Sequence, residues 1–110
     1  MNITKSNEGQ ITILAIEGRL DTTNYNELEN VFLEVFTAEK FQVILDLSGL
    51  EYVSSSGLRV MLMALKKISA AKGTFVLSNM RDSIHEIFEI SGFTTIFKIE
   101  KDVNAALKHF

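Results

Sequence analysis

The chain has 110 residues, of which 46% are hydrophobic and 23% charged, and its net charge is −3. These values fit a globular chain of one-domain size, residues 1–110, and exclude an intrinsically disordered one. Cysteine is absent, which excludes disulfides, thiolate metal sites and a cysteine nucleophile and is compatible with a reducing compartment.

Taken in chain order, Asn2 to Lys5 is a short edge-strand candidate and Asn7-Glu8-Gly9 a turn. Ile11 to Ile16 is rich in aliphatic and β-branched residues and predicts a strand, with Gly18 ending or bending it. Asn24 to Ala38 predicts a helix. Asn24 and Glu27 have the spacing of a capping box, and Leu28, Val31, Phe32 and Val35 share one face. Phe41 to Leu47 predicts a central strand covered on both sides. Ser48 to Ser56 reads as a loop.

Gly57 to Lys72 predicts a second helix, with Leu58, Met61, Leu62, Leu65 and Ile68 inward and Gly73 as a left-handed cap. Thr74 to Leu77 predicts a strand. Ser78 or Asn79 can cap a third helix that runs to Ser91 and stops at Gly92. Thr95 to Ile99 predicts a last strand. Asp102 to Phe110 predicts a last helix with Val103, Ala106, Leu107 and Phe110 inward.

The order β-β-α-β-α-β-α-β-α implies an α/β domain with a mixed, mostly parallel sheet and about four helices. In such sheets ligands and partners gather where strand C-termini meet helix N-termini. That rule selects Gly18 to Asn24 and Tyr52 to Gly57. Lys66-Lys67 is the only adjacent basic pair, so no basic stripe for nucleic acid is expected. No basic segment followed by an apolar run opens the chain, and no apolar stretch is long enough to span a bilayer. A cytoplasmic protein without membrane insertion is the expectation.

The most informative stretch is Tyr52-Val-Ser-Ser-Ser-Gly-Leu-Arg59. Serines before a helix commonly act as N-caps, but one serine suffices for that. The free N–H groups and partial positive charge of a helix N-terminus also tolerate a phosphate.

Tyr52 to Leu62 resembles the signature loop of STAS domains, the family of bacterial anti-sigma factor antagonists. Gly18-Arg-Leu-Asp21 leading into the first helix is similar to the family's Gly-x-Leu-Asp turn. Ile87-Phe-Glu-Ile-Ser-Gly-Phe93 resembles its Leu-Phe-x-x-(Ser/Thr)-Gly-Leu helix end. The three motifs stand in family order and span nearly the whole chain.

The resemblance implies a phosphoswitch without catalysis or cofactor. The unphosphorylated antagonist binds an anti-sigma factor, often a serine protein kinase, and a sigma factor is released. The kinase then modifies the loop serine and a phosphoserine phosphatase resets it. The acceptor maps to Ser55. By the same resemblance, Asp21, Thr22, Thr23, Ser54, Ser55, Ser56, Gly57 and Arg59 form the partner surface. For Asp21 a plain turn role stands beside that reading.

Two positions depart from the best-known members. Ser54 stands where they carry Asp, which removes a negative charge beside the acceptor. Arg59 stands where they carry Gly, four residues beyond Ser55 and within reach of a phosphate on the same face; a solvated surface arginine is the other reading.

A second reading is a STAS docking subunit of a larger assembly, such as a lipid-transporting ABC ATPase, without phosphate turnover. A third is a small α/β enzyme. Ser55 is not in a Gly-x-Ser-x-Gly elbow, no Walker-type loop is present, and His85 and His109 lack metal-type spacing. Met61, Leu62 and Met63 are expected to be core packing, and Glu86 and Glu89 a solvated face.

Overall fold

The alternation from Ile11 to Ile16 makes one side of a strand fully buried, through Thr12, Leu14 and Ile16. In the computed structural model, which describes residues 1–110, this strand is β2, Ile11–Leu20, and it pairs antiparallel with β1, Asn2–Glu8. Glu8 faces Ile11, so the hairpin loop is Gly9-Gln10, one step beyond the expected turn. Gly9 supplies the positive φ, +61°, that a two-residue loop of this kind requires.

Strands β3 (Gln42–Val53), β4 (Thr74–Ser78) and β5 (Lys98–Glu100) add in chain order, and all their pairings are parallel. The crossovers are α1 (Tyr25–Thr37), α2 (Ser55–Ala70) and α3 (Asp82–Ile90). Parallel crossovers of one hand, each stepping one strand in the same direction, fall on one face of the sheet. Their apolar stripes meet there: Leu28 and Phe32 of α1, Met61 and Ile68 of α2, and Ile84 and Phe88 of α3 join the strand side chains in one core. Phe32, Phe75, Phe97 and Phe88 contact edge-to-face in series across it, at 5.8–6.2 Å between centroids.

The opposite face carries the short helix α4, Val103–Leu107, capped by the Asp102 carboxylate, which accepts from Ala105 N–H at 2.8 Å. Its Ala106 packs on Ile44 and Val76. Both sides of β3 are thus covered, which explains its unbroken apolar run Val43-Ile44-Leu45.

Several boundaries differ from expectation, each for a local reason. Ser48–Val53 is strand, not loop. Two register shifts, at Ala15/Glu17 and Gly18/Arg19, place extra residues on the β3 side, and they space its buried residues three apart, at Leu47, Leu50 and Val53. Period-2 alternation is lost, so the segment does not look like a strand. Gly18, at φ +94°, bends β2 at one of these shifts without ending it.

Helix α3 begins at Asp82 after Arg81, and neither Ser78 nor Asn79 caps it. Ser78 instead ends β4 and donates to Leu45 C=O at 2.8 Å, while Asn79 takes a left-handed turn at φ +60°. A single 3-10 turn occupies Phe93–Thr95 ahead of β5.

The residue after α2 with positive φ is Lys72, at +60°, and not Gly73. Gly73 is required for a different reason: a Cβ there would lie 1.9 Å from the Phe41 carbonyl oxygen. Gly73→Ala must therefore displace backbone. It is expected to destabilise the fold by about 3 kcal/mol or more, the upper end for overpacking, as read from urea unfolding midpoints.

Candidate functional site

Parallel pairing of β2 with β3 sets Leu20 beside Val53 and so brings the two following loops together. The loops are joined directly: Ser54 N–H donates to Leu20 C=O at 2.9 Å. Behind them lies Gly57, buried at the start of α2. A Cβ at Gly57 would meet Leu20 and Val53 side-chain carbons at 2.7–2.9 Å. The glycine thus lets the α2 N-terminus sit close against the strand ends.

The three serines have different places. Ser54 is the N-cap: its backbone is extended and its hydroxyl accepts from Gly57 N–H at 3.3 Å. Ser55 is the first helical residue and is exposed, and Ser56 is half-buried. With capping supplied by Ser54, the Ser55 hydroxyl is left outside the helix's own hydrogen bonding. The first-turn N–H groups carry the positive end of the helix dipole.

The β2–α1 turn is held by its own side chains. Asp21 Oδ1 accepts from Thr23 N–H at 2.9 Å and from the Thr23 hydroxyl at 2.6 Å. Asn24 occupies the N-cap position of α1 without making the expected capping bond. Its side chain turns backward, accepting from Asp21 N–H at 2.9 Å and donating to Arg19 C=O at 2.8 Å. Asp21 is therefore a turn-former, with Thr22 and Thr23 exposed beside it.

The hydrogen bonds from Thr23, first the hydroxyl and then the backbone N–H, hold the Asp21 carboxyl below the usual aspartate range, and the Arg19 guanidinium adds to this.

Arg59 is exposed one turn after Ser55. Ser55, Leu58, Arg59 and Leu62 line one depression with Ser91 and Phe93. The third sequence motif, Ser91-Gly92-Phe93, thus reaches the same site as the serine loop. Gly92 turns the chain there through a left-handed conformation, φ +75°.

The sequence motifs point to Asp21, Thr22, Thr23, Ser54, Ser55, Ser56, Gly57 and Arg59, but not to Ser91, Phe93 or the Arg19–Tyr52 stack. In that stack the guanidinium carbon lies 4.3 Å over the ring. The register pair Arg19–Tyr52 brings them together. Nothing in either segment alone signals it. Ile90, 86% exposed at the end of α3, is a further apolar side chain that periodicity does not flag.

Elsewhere, His85 Nδ1 lies 2.7 Å from Glu89 and His109 Nε2 lies 2.6 Å from Glu100, each histidine with one carboxylate. Met61 is core as expected, whereas Leu62 and Met63 are half-buried and line a surface groove along α2. No helix is long and apolar enough to cross a membrane.

The fold has close counterparts among known proteins. The STAS domain family model matches residues 2–106, and the chain belongs to that family. A protein of Bordetella bronchiseptica named anti-sigma factor antagonist BtrV is 33% identical over 110 residues, covering 100% of this chain and 95% of that one. The anti-sigma-B factor antagonist of Listeria monocytogenes is 28% identical over 86 residues, covering 77% of this chain and 75% of its own. The crystal structure of a Thermotoga maritima protein described as an anti-sigma factor antagonist superposes with a TM-score of 0.93 at 23% identity, covering 97% of this chain and 92% of that one.

Because the Asp21 carboxylate is better satisfied folded than unfolded, the turn contributes stability above the ordinary aspartate range. It loses that contribution as pH falls through the depressed folded value. Thr23→Val removes the shorter bond and should raise the Asp21 pKa toward the ordinary range, as read by NMR titration of the carboxyl carbon. An unchanged midpoint would assign the depression to the Thr23 N–H and Arg19 instead.

Proposed function

We propose that this protein is an anti-sigma factor antagonist, a binding module without a catalytic site that is switched by phosphorylation of Ser55. In the unphosphorylated state the surface formed by Asp21–Thr23, Ser54–Gly57 and Arg59 docks onto an anti-sigma factor, and a sigma factor is released. The anti-sigma factor is a serine kinase that modifies Ser55, and a phosphoserine phosphatase restores the binding form. The names of the relatives support the antagonist assignment.

The observation that carries the switch is the division of labour among the serines. Ser54 does the capping, so Ser55 is exposed and free to be modified without loss of a structural bond. Ser54 fills the position where the best-known members of the family carry Asp, and a serine hydroxyl caps as an aspartate carboxylate does.

A phosphate adds roughly 1.5 to 2 negative charges and three acceptor oxygens. At the N-terminus of α2 that charge is stabilised by free N–H groups and the dipole. In a desolvated contact with a partner the same charge is costly unless it is paired. One phosphate can thereby end binding while the fold persists.

Ser55→Ala is expected to fold as the parent does and to bind the anti-sigma factor without being switchable. Ser55→Asp places a carboxylate in the first turn. It should leave stability unchanged or raised by about 0.3–1 kcal/mol while weakening binding about tenfold or more, some 1.4 kcal/mol. Thermal unfolding and titration calorimetry against the anti-sigma factor check both. Unfolding of either variant would make Ser55 a structural residue and sink the switch. Peptide mass mapping from native cells completes the test. Ser55 without phosphate in every growth condition would leave a constitutive docking subunit.

A further inference from the structure

The charges of the three crossover helices are segregated. Helix α1 carries Glu27, Glu29 and Glu34 and no Lys or Arg. Helix α3 carries Asp82, Glu86 and Glu89 and no Lys or Arg. Helix α2, between them on the same face, carries Arg59, Lys66 and Lys67 and no acid at all. The whole chain is acidic, at −3, so this basic helix stands against the overall balance.

The basic residues fall on one stripe. Arg59, Leu62, Met63, Lys66, Lys67 and Ala70 follow one another at i, i+3, i+4, i+7, i+8 and i+11, which is one face of a helix. They line a single shallow groove along the outside of α2. The inward side of the same helix is taken up by Leu58, Met61, Ala64 and Ile68.

Arg59, Lys66 and Lys67 are exposed, and none is in an ion pair; the three pairs in the molecule involve Arg19, His85 and His109. No carboxylate lines this groove or the two depressions that continue it toward Ser55 and toward Phe41. The result is an apolar floor of half-buried Leu62 and Met63 between unneutralised cations.

We infer that the outer face of α2 is the docking strip for an acidic amphipathic helix of a protein partner. The apolar stripe of that helix would lie on Leu62 and Met63, and its carboxylates would meet Arg59, Lys66 and Lys67. Charge complementarity selects this occupant. Leu, Met and lysine stems at helical spacing offer the ridges that a second helix packs into, the helix-in-groove mode. Three cations on one 16-residue helix, in a chain of net charge −3, make a short track for an extended polyanion, so a nucleic acid or an anionic membrane fits the strip poorly.

The strip runs into the Ser55 site through Arg59, which lines both the groove and the depression at Ser55. Resting on the phosphoswitch reading, Arg59 then has two competing uses. It meets a partner carboxylate when Ser55 is free. When Ser55 is phosphorylated, the arginine one turn away pairs with the phosphate, as guanidinium and phosphate readily do. The phosphate withdraws one cation from the strip and adds negative charge at its end.

The test selects a displayed library of helix-patterned peptides of about 16 residues, the length that spans α2, on the full-length protein. The expected winners combine net negative charge with apolar residues at i, i+3, i+4 and i+7. A synthesised winner should lose about tenfold or more in affinity to the exposed double variant Lys66→Glu/Lys67→Glu, a change of about 1.4 kcal/mol. Its binding should weaken as salt rises from about 50 to about 300 mM.

NMR shift changes should follow the outer face of α2. Protein carrying genetically encoded phosphoserine at position 55 should bind the peptide more weakly, and Arg59→Ala should shrink that difference. Neutral or basic winners, affinity indifferent to the double variant, or shifts on another face would each overturn the strip. So would flotation of the parent, and not of the double variant, with phosphatidylglycerol vesicles. The selection does not depend on Ser55 being phosphorylated in cells. Acidic winners with an unmodified native Ser55 would keep the strip and remove the switch, and phosphate on Ser55 without acidic winners would do the reverse.

Discussion

The close seating of the α2 N-terminus on the ends of β2 and β3 is the constraint on which the rest of the site depends. Gly57 has no side chain, so Leu20 and Val53 can approach it at distances that any Cβ would occupy. The Ser54 N–H to Leu20 C=O bond then closes the two loops against each other. Any larger residue at 57 would lift the helix from the strand ends, and the serine loop would part from the Asp21 turn. Of the first turn of α2, Ser55 is left exposed and Ser56 half-buried, while Gly57 and Leu58 are buried against the core.

That seating also ties the site to a rigid fold. The core beneath is one apolar cluster shared by three helices, and close-packed interiors do not deform gradually. A charge added at Ser55 meets a helix end that already favours anions. The Asp21 turn is built in the same way, its carboxylate satisfied locally by Thr23, so the second half of the surface is held independently of any partner.

The motifs legible in the sequence were those that act locally. Gly92 stops α3 in the left-handed conformation expected of it, and the Leu28, Phe32 and Val35 stripe is the buried face of α1. Helical periodicity puts Leu62 on an apolar stripe with Met61 without saying how widely the neighbouring elements will cover it. Here the sheet covers Met61 and leaves its two neighbours half out. The position of Gly73 after a helical pattern suggests a left-handed cap, whereas its neighbour Lys72 adopts the positive φ and the glycine makes room for the Phe41 carbonyl.

The sequence by itself determined the order of elements and the mixed, mostly parallel sheet, because periodicity and turn chemistry are short-range properties. It also singled out Ser55, through motifs that are contiguous in the chain. Only the tertiary structure decided which serine caps and which is free, where β3 continues through its bulges, and that Phe93 and Ser91 stand at the Ser55 site. It alone set a basic helix between two acidic ones. Each of these depends on contacts between residues distant in sequence, fixed by strand register and close approach, and no local pattern encodes them.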